Sequence, residues 1–280
     1  MWRPLLVIWA RWLGYLGDYE RAAGRYERAE GLLRRAIAMS ERAVGPDAVL
    51  TATLLNSLGI VHKYRGRFGD GARAYRRALS AARERLGPDH PLVATLYHNL
   101  GGLAHARGRH RLAEPFARRA VAVRERALGP HHPQVAADIA ALAAILDGQG
   151  RHTEAEGLHR RALAVFERRF GATHRDIAAA LGNLAACCYA MGRPAEAGPL
   201  ARRALTMKEK LLGSMHPDVA VTLTNLAVIQ KSQGMLAEAD ALYRRALRIF
   251  EPSLGVSHPS TQTCRDNHAK LRGAHSTRPC

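Results

Sequence analysis

The sequence predicts an all-α solenoid of helical hairpins, and three recurring markers carry that prediction. Glycine recurs every 42 residues at Gly45, Gly87, Gly129, Gly171, Gly213 and Gly255. A second glycine series keeps the same step at Gly24, Gly66, Gly108, Gly150, Gly192 and Gly234. Arg-Arg-Ala followed by a branched apolar residue starts at Arg34, Arg76, Arg118, Arg160, Arg202 and Arg244. Independent markers in one register define a tandem repeat, and a repeat of this length is a solenoid element that buries its apolar face only by stacking on its neighbours.

Within the repeat 87–128, Gly87-Pro88-Asp89-His90-Pro91 reads as a loop whose last proline can open a helix, because no N–H is needed there. The first helix follows over Leu92 to Arg107, with Leu96, Leu100 and Leu103 on one face. Gly108 closes it through the left-handed conformation that glycine tolerates. The second helix runs from about His110 to Ala127 with Ala113, Ala117, Ala120 and Val121 on one face, and Gly129 closes it. Small residues on that face let the two helices approach closely, and Ala197, Ala201 and Ala204 repeat the device two repeats later.

The repeats run as 3–44, 45–86, 87–128, 129–170, 171–212 and 213–254. The pattern fails before residue 9, since position 3 is Arg where the step predicts Gly. Residues 1–8 are therefore expected as a non-repeat N-terminal segment, and 9–254 as six repeats with the first incomplete at its start. Trp2, Trp9 and Trp12 all lie at this end, as an apolar end cap or a docking surface for a further domain or partner. Residues 255–272 begin a seventh first helix, with Asn267 falling 42 after Asn225, and are expected as a capping helix with His268 turned to solvent in a leucine slot. Residues 273–280 are expected as a flexible tail.

The 280 residues carry 47 % hydrophobic side chains, enough for a core, and only 6 % aromatics. No apolar run approaches the roughly 18–20 residues that span a bilayer. Pro4 to Ala10 is a poor signal peptide, being short, closed by Arg11 and followed by no small-residue cleavage site. Cys187, Cys188, Cys264 and Cys280 give neither a disulfide framework nor zinc spacing, which points to the cytoplasm. The net charge of +18 raises nucleic acid or another polyanion as a partner, bound through the Arg-Arg ridge. Against that, twelve arginines belong to the repeated pair, where a solvated outer helix face explains them.

No phosphate loop, nucleotide fingerprint, His-Glu-x-x-His or Gly-x-Ser-x-Gly motif occurs, so neither an enzyme nor a cofactor is expected. His90, His132, His174, His216 and His258 recur in the loops, too far apart to share one metal ion. They read as loop caps. Glu156 and His159 share a helix face in a Glu-x-x-His step, but the second pair that a di-iron site needs is missing. Cys187 and Cys188 fall inside a packed helix and read as inert.

Leu100-Gly101, Ala104, Ala113 and Ala120 match the tetratricopeptide pattern at its Leu-Gly, Tyr, first Ala and second Ala slots. The longer period, Leu-Gly-x-x-His-Pro (Leu86 to Pro91, Leu212 to Pro217, Leu254 to Pro259) and Asn-Leu-Ala (Asn183 to Ala185, Asn225 to Ala227) resemble the kinesin light chain type of this repeat over residues 9–271. The resemblance implies a right-handed superhelical solenoid whose first helices line a concave groove. Kinesin light chains also carry an N-terminal heptad coiled coil that joins the motor; none is read here, and a motor role is not carried over.

Transferred slot by slot, the resemblance assigns a peptide-binding groove to Asn56, Lys63, Tyr64, His98, Asn99, His105, Asn183, Tyr189, Asn225, Lys231 and Asn267. Asparagine donates and accepts at once, so a row of them can grip the backbone of an extended peptide. The expected function is a non-catalytic protein–protein interaction scaffold holding an acidic or mixed peptide, with neither metal nor membrane involved. Polyanion binding through the Arg-Arg ridge is the alternative.

Overall fold

This computed structural model describes residues 2–276, and every regular element among them is an α-helix. The helices are α1 (Arg3–Ala22), α2 (Tyr26–Val44), α3 (Val49–Tyr64), α4 (Phe68–Leu86), α5 (Pro91–His105), α6 (His110–Leu128) and α7 (Pro133–Asp147). They continue as α8 (His152–Phe170), α9 (Arg175–Ala190), α10 (Pro194–Leu212), α11 (Pro217–Ser232), α12 (Leu236–Leu254) and α13 (Pro259–Ser276). The described residues gather into two compact units, divided between residues 149 and 150. Within each unit, a first helix packs antiparallel on its second helix, and each second helix packs on the next first helix.

The loop histidines are helix caps. In α5, α7, α9, α11 and α13 the preceding histidine accepts through Nδ1 the backbone N–H two residues on, at 3.1–3.2 Å. The ring nitrogen takes the place of the usual Ser or Asp oxygen at a helix start. All twelve marker glycines have positive φ, between 66° and 99°, and no other described residue does. An L-residue there would cost roughly 1–2 kcal/mol.

Packing inside a hairpin depends on one small slot in each first helix. At Gly59 an added methyl would fall 2.4 Å from the Tyr75 ring, and at Gly101 it would fall 3.3 Å from the backbone nitrogen of Ala117. The equivalents Ala143, Ala185 and Ala227 are buried. Leu96, Leu100, Leu103, Ala113, Ala117 and Ala120 are buried as the pattern predicts. Val121 is only half-buried; Val123 and Arg124 turn inward instead.

Both ends differ from their sequence expectations. Helix α1 starts at Arg3, so residues 3–8, set apart as a non-repeat segment, run continuously into the first hairpin. Helix α13 includes 273–276 of the expected tail, and 277–280 lie outside the described residues. His268 does not face solvent. Its Nε2 meets Asp240 Oδ1 at 2.7 Å and its ring leans on Tyr243, which keeps the leucine slot closed. No described helix is long and apolar enough to cross a membrane.

Candidate functional site

In the N-terminal unit most of the expected groove residues already have partners within the protein. Asn99 on α5 donates to Asn56 on α3 at 2.7 Å. His98 Nδ1 lies 2.7 Å from Asp138 Oδ1 on α7, and Asp138 is only 2 % exposed. Arg124, buried on α6, donates to the other oxygen of Asp138 at 2.6 Å and reaches Gln134 and Thr95 with its remaining nitrogens. His98, Arg124 and Asp138 thus fill the space between α5 and α7. His105 and His110 face each other at 3.1 Å; burial, His110 and Lys63 hold His105 below the usual imidazole range. Tyr64 is exposed and stacks on Tyr26 at 5.4 Å.

In the C-terminal unit the same face is open. A pocket of about 440 Å³ lies between α9 and α11 over α10, lined among others by Asn183, Tyr189, Lys208, Thr222 and Asn225. Asn183 and Asn225 are exposed and make no side-chain hydrogen bond among the described residues. Ala179, Gly182 and Ala186 keep the α9 wall low. Lys208 rises from the second helix α10 and donates to Thr222 Oγ1 at 2.9 Å, while that hydroxyl donates to the Asp218 carbonyl. Burial pushes the Lys208 ammonium below the usual lysine range, opposed by Asp218. No described carboxylate comes within ion-pair distance of it. Lys231 and Asn267 are half-buried and stand outside the pocket lining.

The sequence reading missed Lys208, Arg124 and Asp138, because it looked for groove residues only on the exposed row of first helices. A signal was present. Ser40, Ala82, Phe166 and Phe250 hold the Arg124 slot elsewhere, and Leu54, Leu96, Ala180 and Cys264 hold the Asp138 slot. Polar exceptions in both slots occur together twice, as Arg124 with Asp138 and as Lys208 with Thr222.

The Arg-Arg ridge spends much of its charge on acids. Arg34, Arg118, Arg160 and Arg244 each bind the carboxylate one turn earlier, at Glu30, Glu114, Glu156 and Asp240. Arg77, Arg203 and Arg245 reach Glu41, Glu167 and Glu209 of the preceding repeat, and Arg119 lies over Tyr97. Glu156, Cys188 and Glu196 bring potential metal ligands within 4.8 Å of one another. Arg160 and Arg193 already bind both carboxylates, and burial pushes the Cys188 thiol up, so this cluster is an ion-pair network ill suited to a cation.

A stack of two-helix repeats with an open first-helix face is the architecture of a binding scaffold. A family profile described as tetratricopeptide repeat matches residues 10–83, 64–126, 105–168, 135–210 and 176–251. The chain belongs to the tetratricopeptide repeat family, whose members generally mediate protein–protein interaction and are generally non-enzymatic. Solved structures share the fold. BtubC (BKLC) from P. vanneervenii matches with 23 % identity and TM-score 0.62 over 93 % of each chain. A Podosopora anserina putative kinesin light chain with nearly identical TPR-like repeats matches with 22 % identity and TM-score 0.63 over 72 % of this chain and 96 % of that one. A Rap protein complexed with Competence and Sporulation Factor has 15 % identity and TM-score 0.64 over 95 % and 76 %. Comparison with curated proteins finds no significant match.

Proposed function

We propose that this chain is a non-catalytic scaffold that holds an extended peptide of a partner protein across the first helices of its C-terminal unit. Asn183 and Asn225 grip the peptide backbone, and an acidic side chain of the peptide sits on Lys208. One observation carries this reading. The slot that holds Asp138 against Arg124 in the N-terminal unit holds Thr222 against Lys208 in the C-terminal unit. The lysine keeps its charge and loses its internal carboxylate, in a pocket with room for one from outside. A protein of similar fold, the Rap protein, forms a complex with Competence and Sporulation Factor. Nothing in the geometry favours nucleic acid, since the arginine ridge is widely paired with acids.

Selection of a random peptide library on the purified chain tests this. Binders should be enriched in Asp or Glu, and Lys208→Met should weaken them about 10–100-fold, the scale of a charged hydrogen bond worth about 1.5–3 kcal/mol. Asn183→Ala with Asn225→Ala should weaken them without changing helicity. Binders without acidic residues, indifferent to all three substitutions, would overturn the assignment.

A further inference from the structure

We infer that α1 is a self-association surface, and that a second copy of this chain covers its exposed face. Helix α1 occupies the first-helix position of its hairpin, yet it presents Trp2, Leu5, Ile8, Trp9, Trp12, Tyr15 and Tyr19 to solvent. Trp9 is 52 % exposed, whereas its equivalents Thr51, Val93, Val135, Ile177, Val219 and Thr261 are all 0 % exposed. In the ordinary stack this slot faces the preceding second helix, as Thr51 faces Ser40 at 2.8 Å. An indole does not fit a slot built for Thr, Val or Ile. The face is therefore not shaped to continue the stack.

Its spacing suits another kind of helix pairing. Trp2, Leu5, Trp9, Trp12, Leu16 and Tyr19 follow alternating steps of three and four, the heptad rhythm of a two-helix seam. This seam lies on the outer side of the first hairpin. Turned antiparallel about a two-fold axis, the same seam matches itself. Trp9 meets Trp12 of the partner copy, Leu5 meets Leu16, and Trp2 meets Tyr19, so one helix supplies both halves of an isologous contact.

The area also fits. Aromatic side chains bury about 150–250 Å² each, so five of them more than half exposed offer about 600 Å² before Leu5 and Ile8 are added. That reaches the top of the ~300–600 Å² range for the largest patch on an ordinary monomer, and approaches the ~800 Å² per partner of a stable interface. A head-to-tail contact with the other end is disfavoured, because α13 exposes Gln262, Thr263, Arg265, Asp266 and Lys270.

The three tryptophans of the chain are Trp9 and Trp12 in α1 and Trp2 at its N-cap, so tryptophan emission reports on this face alone. Sedimentation velocity over a concentration series, with emission recorded in parallel, tests the inference. The expected result is a dimer whose fraction rises with concentration while emission shifts to the blue. The Trp9→Glu, Trp12→Glu double variant should stay monomeric at every concentration with unchanged circular dichroism. Tyr15→Lys, at the edge of the seam, should weaken association by about tenfold. Leu112→Glu, at an exposed leucine on α6, should leave it intact. A monomer throughout, or a dimer that survives the double variant, would overturn the inference. So would a chain that stays monomeric in solution and shifts its emission only when anionic vesicles are added, which would give this face to a lipid surface.

Discussion

The two units place different side chains in the same four slots, two repeats apart. In the N-terminal unit, Thr95, His98, Arg124 and Asp138 form a closed ionic plug between α5 and α7. In the C-terminal unit the equivalents are Ala179, Gly182, Lys208 and Thr222, and the space is a pocket. Two positions lose bulk, and one carboxylate becomes a hydroxyl. A repeat backbone can thus be a strut in one place and a receptor in another, with the difference resting on a few side chains.

The largest expected effect breaks the plug. Asp138→Ala strands Arg124, which is only 6 % exposed, and removing one partner of a buried pair costs about 3–5 kcal/mol. Urea unfolding of the variant should show that loss, whereas Thr222→Ala should cost about 1 kcal/mol. A cost at position 138 no greater than at 222 would mean that the plug contributes little to stability.

Thr222→Asp sharpens the comparison from the other side. It rebuilds the missing carboxylate beside Lys208, so acidic peptides should bind about 10–100-fold more weakly, as with Lys208→Met. If calorimetry finds peptide affinity unchanged, Lys208 is not where the acid sits.

A smaller effect belongs to the caps. Replacing His216 by Ala removes the ring acceptor from the N–H of Asp218 and should lower stability by about 1 kcal/mol. His216→Asn should restore most of it, because an amide oxygen can take the same N–H. Chemical denaturation of the two variants separates loss of the cap from loss of ring packing.

The gentlest test is pH, and it is expected to act through the N-terminal unit. Burial lowers the folded values of both His62 and His105, with Glu30 and Asp70 opposing the shift at His62 while Arg67 and Arg34 reinforce it. The unfolded chain then binds protons that the folded one refuses. Stability is full above about pH 6.5 and declines as pH falls from there through the folded values. Glu30 adds a further loss only in more acid solution, because its depressed carboxylate matters below about 4.5. Denaturation midpoints at pH 7.5 and 5.5 should differ less in His62→Gln than in the parent chain.

The fold was legible because each element is written six times. One ambiguous helix start is settled by five others, and the marker glycines fall where φ is positive. The candidate face was half legible. Asn183, Tyr189 and Asn225 were all assigned to the groove face, and they line the pocket. Asn56 and Asn99 belong to the same face, but their mutual hydrogen bond depends on two helices meeting, and row spacing does not encode that. Lys208 was invisible for the opposite reason. It belongs to a second helix, where the pattern assigns packing, and only a long flexible side chain lets it reach the first-helix face. The arginine ridge was read as a solvated outer face; the acids that pair with it lie one turn back or a repeat away.

The glycine spacing bears on how such a chain can change length. Gly87 and Gly129 have φ of 84° and 82°, and each donates its N–H to the carbonyl four residues back, at Arg83 and Glu125. The backbone therefore passes through one conformation at one point of every repeat. Deleting residues 87–128 joins Leu86 to Gly129, a junction chemically identical to Leu128 followed by Gly129. Duplicating the same segment creates no new junction either. Gain or loss of 42 residues is conformationally silent at the seam, while a step of 21 keeps a glycine there but breaks the alternation of first and second helices. Length in this molecule is quantised, and a receptor repeat can be added, dropped or moved as a single inheritable piece.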